Sequence, residues 1–424
     1  MVVDKVDVNE RINGHSITIG WLLDSLRKND KVFQKLHGNR AVKKVEAYDI
    51  SGGKGFASEI LRCIIKFDDS KSSTDIYSTI LKIPGFESLK EGIKQSGGDS
   101  TTIDSDDDKL KSFDQIHEFE CGFYENLAPI FDVPVPKVFK TMLKSDENVE
   151  GCLHMEDLTV RGKTLTFFEM LNITQVKHII RLLAHMHKNI LSVDKKMWRG
   201  KYLKNQISMV NIIDMFKPMT QNFLKQCKSK DQFKPLYDRC QKIAECKEFL
   251  LYLLTEDYKS AESVIVHGDL HLGNIMWNID ENGDIQNTIA AFIDWQTIFE
   301  GSPMLDLARL LTFCCDGGTR RQIENFAIEF YLECLTKEFN GDVSKVPYTV
   351  EGLKRAYNMA FLFQTFMTPG GIAFLFGAID EKNYSKNVKD SLWDQSELKA
   401  LHALQDADQL LQNELKDVYE KYGL

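Results

Sequence analysis

Apolar positions along the first third of the chain follow two rhythms. Residues 17–36 carry Trp21, Leu22 and Leu26 at helical spacing, with Ser16 or Thr18 placed to cap the start. The rhythm then shortens. "KKVEAYDIS", "FASEILRCIIKF" and "DIYSTILKI" are brief, rich in Ile, Val and Tyr, and separated by turn residues, which predicts three antiparallel strands. The stretch "QSGGDSTTIDSDDDK", 95–109, is polar and lacks aromatics, and is expected to be a mobile acidic loop. After it, Phe113, Ile116, Phe119, Phe123 and Leu127 share one helical face, and "VPVPKVFKTML" and "GCLHMEDL" predict two more strands. From about residue 160 helical patterns dominate, interrupted once by a strand and hairpin, and no internal repeat is present. The expectation is an α+β chain of two lobes. A small antiparallel-sheet lobe with a helical N-terminal extension spans 1–155, and a larger, mainly helical lobe spans 156–424.

One segment is apolar enough to suggest a membrane span. "MAFLFQTFMTPGGIAFLFGAI", 359–379, is interrupted by Gln364 and by Pro369-Gly370-Gly371, which predicts two buried helical pieces joined by a turn. With 424 residues and 43% hydrophobic content the chain is long enough for two lobes. A formal charge of −9, from 62 acidic and 53 basic residues, argues against a nucleic-acid binder. Nine cysteines, an odd number with no Cys-x-x-Cys pair, predict free thiols, and the charged N-terminus shows no secretory apolar region; both point to a cytoplasmic protein.

The stretch with chemistry is "VIVHGDLHLGNIMW", 264–277. An apolar strand runs into His267-Gly268-Asp269, and Asn274 follows five positions later. "NIMWNID" and "IQNTIAAFID" then flank Asn282-Gly283, a strong hairpin-turn signal. The hairpin carries the chain out and back, so Asp294 is expected near Asn274 although twenty positions separate them. Few, hard oxygen ligands suit Mg²⁺ shared with nucleotide phosphates. Phosphoryl transfer needs a carboxylate to orient the attacking hydroxyl and take its proton, which suits Asp269, and metal ligands, which suit Asn274 and Asp294. An isolated Asp in a loop is usually a turn or cap residue; the strand before it and the hairpin ending in Ile293-Asp294-Trp295 make the pattern specific.

With "GGKGFAS", "LKIPG", "FECGFYENLAP", "HMEDL", "LLAHMHK", "FIDWQ" and "GSPMLDLARLL", this pattern resembles the aminoglycoside phosphotransferase and choline kinase superfamily, and within it the ecdysteroid kinase-like (CHK, choline-kinase-like) group. The resemblance runs from about residue 40 to about 400. It implies a two-lobed, protein-kinase-like fold with ATP as donor, a catalytic loop at 267–274 and a metal-binding segment at 292–296. It also implies a nucleotide loop at Gly53, Lys54, Gly55, Phe56 and Ser58, and an adenine-binding hinge at Met155, Glu156 and Leu158. Lys82 lies in an apolar strand and needs a partner, because an unpaired buried charge is expensive. Glu118 and Glu120 are both candidates, and the family's Glu-x-x-Phe-Tyr pattern favours Glu120. The pair would clamp the donor phosphates.

His185 and His187 are expected to be packing residues, His267 a scaffold for the loop and Asp306 its brace. A protein kinase would carry His-Arg-Asp and Asp-Phe-Gly where this chain has His267-Gly268-Asp269 and Asp294-Trp295-Gln296, so a phospho-switched protein kinase is not expected. The expectation is a kinase using ATP and Mg²⁺ on a hydroxyl of a small molecule, ecdysteroid-like or another metabolite or xenobiotic alcohol. Choline or ethanolamine kinase, and a pseudokinase binding module, are the alternatives. Trp295, Phe299, Phe361, Phe363 and Phe366 are candidate acceptor-pocket aromatics, against the plainer reading that a Phe-rich stripe is core.

Overall fold

The computed structural model describes residues 3–50, 58–85, 107–145, 149–202, 210, 212–255, 262–377 and 384–424. Gly53, Lys54, Gly55 and Phe56 lie outside these residues, as do 95–106 of the expected acidic loop. The last part of that loop is helical, since a helix begins at Asp107, six residues before Phe113, where the predicted helical face starts.

The N-terminal helix is two helices, α1 (Ile19–Asn29) and α2 (Lys31–His37). The break is chemical. Asp30 adopts an extended backbone and its carboxylate accepts from the Val32 and Phe33 N–H groups, capping α2. Thr18 caps α1 through the Trp21 N–H. The strands β1 (Val42–Asp49), β2 (Ser58–Phe67), β3 (Ile76–Pro84), β4 (Val138–Met142) and β5 (Cys152–Glu156) form one antiparallel sheet in the order β1-β2-β3-β5-β4. One face buries Leu61, Ile65 and Leu81 against Leu22, Leu26 and Phe33 of α1 and α2. Buried His154 ties α1 to the sheet, Nδ1 to Ser25 Oγ at 2.7 Å and Nε2 to Thr79 Oγ1 at 2.8 Å. Helix α3 (Asp107–Gly122) runs on through a wider turn, Phe123–Leu127, into α4 (Ala128–Phe131). Its Cys121 packs with Ile80, Leu153 and Met155 of β3 and β5.

Beyond β5 the chain is mainly helical. Helix α5 (Ile173–Ser192), opened by an Asn172–Gln175 capping box, is followed by α6 (Ile212–Gln226), α7 (Lys230–Ala244) and α8 (Lys247–Thr255). Strand β6 (Gly162–Thr164) joins the hairpin β8 (Ile275–Ile279) and β9 (Ile285–Phe292), and β7 (Val264–Val266) pairs with β10 (Phe299–Gly301). The hairpin turns at Gly283, whose φ of 82° suits glycine. Helices α9 (Met304–Cys314), α10 (Gly317–Glu324), α11 (Ala327–Glu338), α12 (Val350–Gly377), α13 (Lys386–Gln412) and α14 (Lys416–Tyr422) complete the lobe.

Helix α12 corrects the expectation of a turn at Pro369. It runs unbroken through Pro369-Gly370-Gly371. The glycines serve packing: a Cβ on Gly370 would stand 2.7 Å from Phe216 Cδ1 and 3.1 Å from Phe216 O, so α6 and α12 approach too closely for a side chain there. Tertiary packing outweighs the lost Pro N–H bond. By length and composition α12 could cross a membrane, but 89% of its most apolar window is buried against the other helices.

Candidate active site

The loop after β7 is pinned before any ligand is considered. Buried Asp306, at the start of α9, accepts from the His267 N–H at 2.8 Å and the Gly268 N–H at 2.9 Å. Burial raises the Asp306 carboxyl above the ordinary range, against the pull of the two backbone donors. His267 Nε2 bonds the Ile293 carbonyl at 2.9 Å, so Nδ1 accepts from the Asp269 N–H at 3.3 Å. Thr297 Oγ1 donates to the His267 carbonyl at 3.0 Å. Gly268 has a φ of 81°, and a Cβ there would overlap the Thr297 carbonyl and come within 2.9 Å of Phe299 Cε1. The position therefore requires glycine, which explains why no Arg follows His267.

This pinned loop presents Asp269 beside Asn274. The Asn274 amide Nδ2 donates to the Asp269 carbonyl at 2.9 Å and faces Asp269 Oδ2 at 3.4 Å, and among the described residues its own Oδ1 is left for a ligand. The Asn274 carbonyl accepts the Ile293 N–H at 3.0 Å, which seats Asp294 next to it across the end of the hairpin. Asp269 Oδ1 is paired with Arg309 Nη2, and His271 Nε2 lies 3.5 Å from Oδ2. Burial pushes the Asp269 carboxyl up, but the Arg309 charge and the neighbouring His271 ring outweigh it and hold the group well below the usual carboxylate range.

Asp294 has a left-handed backbone, φ 65° and ψ 60°, rare for a side-chain-bearing residue. Strain of this kind concentrates at functional sites. Here it accompanies a carboxylate set against the sheet: Asp294 Oδ1 is 2.5 Å from Lys82 Nζ. Lys82, on β3, is also 2.6 Å from Glu120 Oε2 on α3. Burial alone would lower the Lys82 pKa, but the two carboxylates raise it above the ordinary lysine value, so the ammonium stays charged. Glu118 is exposed and Glu120 buried, so of the two candidates the structure pairs Lys82 with Glu120. An antiparallel sheet whose strand Lys is held by a helix Glu, over a helical lobe bearing the Asp269 loop, is a two-lobed, kinase-like α+β arrangement.

Ser58 opens β2 and is buried. At the strand-to-helical crossover, Met155 and Leu158 are buried. The Glu156 N–H donates to the Lys137 carbonyl at 2.9 Å, so it is already spent within the sheet and is not left over for an adenine edge. Asp157, beside it, is paired with Arg62 of β2 at 2.7 Å. The aromatic candidates are core. Trp295, Phe299, Phe361, Phe363 and Phe366 are all buried, and Trp295 stacks on Phe123 at 4.0 Å. His187 is buried on Tyr331, and His185 bridges Glu338 and Asp132. Sequence reasoning missed Arg309 and Gln364; the available signal was the three-residue spacing from Asp306, which puts Arg309 on the same face of α9 as the loop's brace.

Among the described residues no three His, Cys, Asp or Glu side chains converge on a metal position. Asn274 Oδ1 and Asp294 are two oxygen donors, which suits an ion that completes its shell with water and phosphate oxygens.

Comparison with known proteins gives a family and a set of likenesses. The chain belongs to the DUF1679 family, described as "Uncharacterized oxidoreductase dhs-27", whose model matches residues 34–414. It is 23% identical over 362 residues to the Caenorhabditis elegans protein of that name, covering 84% of this chain but 42% of the relative, so the chain spans under half of that protein's length. It is 23% identical over 327 residues to the "Uncharacterized kinase-like protein D1044.1" of C. elegans, covering 74% of this chain and 79% of the relative. Among solved structures it is similar to a putative aminoglycoside phosphotransferase from Ralstonia eutropha, with 15% identity, coverage of 91% and 98%, and a TM-score of 0.44. It is also similar to a macrolide 2'-phosphotransferase from Brachybacterium faecium, with 14% identity, coverage of 87% and 96%, and a TM-score of 0.38.

Proposed function

We propose that the protein is an ATP- and Mg²⁺-dependent kinase that phosphorylates a hydroxyl of a small molecule, with an ecdysteroid-like, metabolite or xenobiotic alcohol as acceptor. The observation that carries this reading is Lys82, held by both Glu120 and Asp294, above a pinned loop that sets Asp269 beside Asn274. Lys82 would hold the donor phosphates, and Asn274 and Asp294 would hold Mg²⁺. When bound, Mg²⁺ offsets charge on the phosphates. Asp269 would orient the acceptor hydroxyl and take its proton. Ser58 and the Gly53–Phe56 loop would cover the phosphates, and backbone groups from Met155 to Leu158 other than the Glu156 N–H would meet the adenine. The 1–155 and 156–424 lobes would close on the nucleotide from either side.

The oxidoreductase description attaches to a protein more than twice the matched length. This sequence contains no Gly-x-Gly-x-x-Gly fingerprint, and its buried polar cluster suits phosphates rather than a nicotinamide. The pseudokinase reading is disfavoured by the complete Lys82, Asp269, Asn274 and Asp294 set, and the choline kinase reading by Arg309 beside the base. The nine free cysteines support a cytoplasmic setting. The test is incubation with Mg·ATP and a metabolite extract, followed by mass spectrometry. A species gaining one phosphate with wild type but not with Asp269→Asn supports the proposal, and equal formation with both overturns it.

A further inference from the structure

Arg309 is one turn beyond the loop's brace. Asp306 holds the His267 and Gly268 N–H groups, and Arg309, on the same face of α9, reaches the carboxylate that follows them. Its guanidinium is fixed on three sides. Nη2 pairs with Asp269 Oδ1, Nη1 donates to Gln364 Oε1 of α12 at 3.0 Å, and the ring of Phe313 lies 4.5 Å beneath. Gln364 is itself buried, so the clamp is anchored in the core. A planar, permanently charged fork held in this way fixes both position and orientation of its partner. The two oxygens of Asp269 are therefore unlike. Oδ1 carries the ion pair, whereas Oδ2 has two long contacts, to Asn274 Nδ2 at 3.4 Å and His271 Nε2 at 3.5 Å.

We propose that Arg309 is a positioning and specificity-determining residue: it fixes Asp269 Oδ1, leaves Oδ2 to receive the acceptor hydroxyl, and places a cation where an ammonium-bearing acceptor would sit. The inference rests on the phosphotransferase reading above. In the step it serves, the acceptor oxygen bonds the γ-phosphorus of ATP as the bond to the β–γ bridging oxygen breaks. The bonding pair leaves on ADP, and the hydroxyl proton passes to Asp269 Oδ2. An acceptor such as choline, with its charge two carbons from the hydroxyl, brings like charges together near the guanidinium. A neutral acceptor of the same shape does not.

The experiment compares wild type with Arg309→Met, Arg309→Lys, Gln364→Ala and Asp269→Asn. It measures the Mg·ATP-induced shift in Tm, hydrolysis of Mg·ATP without added acceptor, and phosphorylation of choline against its neutral isostere 3,3-dimethylbutan-1-ol. Arg309→Met is expected to keep the Mg·ATP shift and the KM for ATP while its kcat for hydrolysis falls about ten- to a hundredfold. Arg309→Lys recovers part of that loss, and Gln364→Ala, which leaves the ion pair in place, loses less. Wild type favours the neutral alcohol, and Arg309→Met moves the ratio of kcat/KM toward choline by about tenfold. Wild-type turnover in Arg309→Met beside an inactive Asp269→Asn, or a wild-type preference for choline, overturns the inference alone. A wild type with neither Tm shift nor hydrolysis overturns the phosphotransferase reading itself, and the inference with it.

Discussion

Replacing Lys82 by Met removes the cation that two carboxylates share. The Lys82 and Glu120 side chains are 9% and 2% exposed, so Glu120 has almost no water to replace the lost ammonium, and Asp294 adds a like charge beside it. Breaking a buried ion pair by deleting one partner costs about 3–5 kcal/mol, because the remaining charge stays uncompensated. Part of that penalty is relieved if Glu120 takes up a proton, since burial already raises its carboxyl above the usual value. The pH dependence follows in sign. In Lys82→Met the folded Glu120 pKa lies above its unfolded value, so its contribution is complete below the unfolded pKa and is lost as pH rises through the folded one. The variant's deficit is therefore smaller at pH 5.5 than at pH 8. Adding Glu120→Gln should recover about half the loss at pH 8, since the buried charge disappears. Urea unfolding followed by tryptophan fluorescence at the two pH values measures all three proteins. A Lys82→Met variant within about 1 kcal/mol of wild type at pH 8, or a double variant no more stable than the single, refutes the reasoning.

Asp306→Ala leaves the buried His267 N–H and the part-buried Gly268 N–H without their acceptor, a loss of about 1–3 kcal/mol for a buried donor and less for an exposed one, and hydrogen exchange at those two amides should accelerate to match. Gly268→Ala combines a left-handed φ with overlap on the Thr297 carbonyl; beyond the roughly 1–2 kcal/mol of backbone strain it should abolish ATP turnover, and a variant with normal kcat would show that the loop is not held as described. His154 is held neutral, its pKa lowered to about 3 by burial. Its contribution to stability is present above the unfolded histidine value and is lost as pH falls toward 3, so His154→Gln should flatten the acid side of the wild-type stability curve between pH 6.5 and 4, and an unchanged curve would contradict the assignment.

Much of this architecture was legible because alternation and turn chemistry are local. All five strands of the sheet, the Thr18 cap and the hairpin at Gly283 lie where side-chain period and glycine predict them. Two features were not legible, each for a physical reason. Asp30 splits the first helix through its own carboxylate, which apolar spacing does not register. Pro369-Gly370-Gly371 marks a turn by local propensity, but a close helix crossing keeps α12 intact. The plainer reading of the Phe361, Phe363 and Phe366 stripe as core holds, because α12 is covered on nearly every side. In the candidate site the motif pointed to Lys82, Glu120, Asp269, Asn274 and Asp294, whereas Arg309 becomes visible only when α9 is packed beneath the loop.

Titration calorimetry with a non-hydrolysable ATP analogue, with and without Mg²⁺, addresses the site most directly. Wild type and Asp269→Asn should both bind the analogue tightly only with the metal present, and Asp294→Asn should lose that metal dependence. Binding that ignores Mg²⁺ in wild type, or no binding at all, would contradict the assignment of Asn274 and Asp294 to a metal-bound nucleotide.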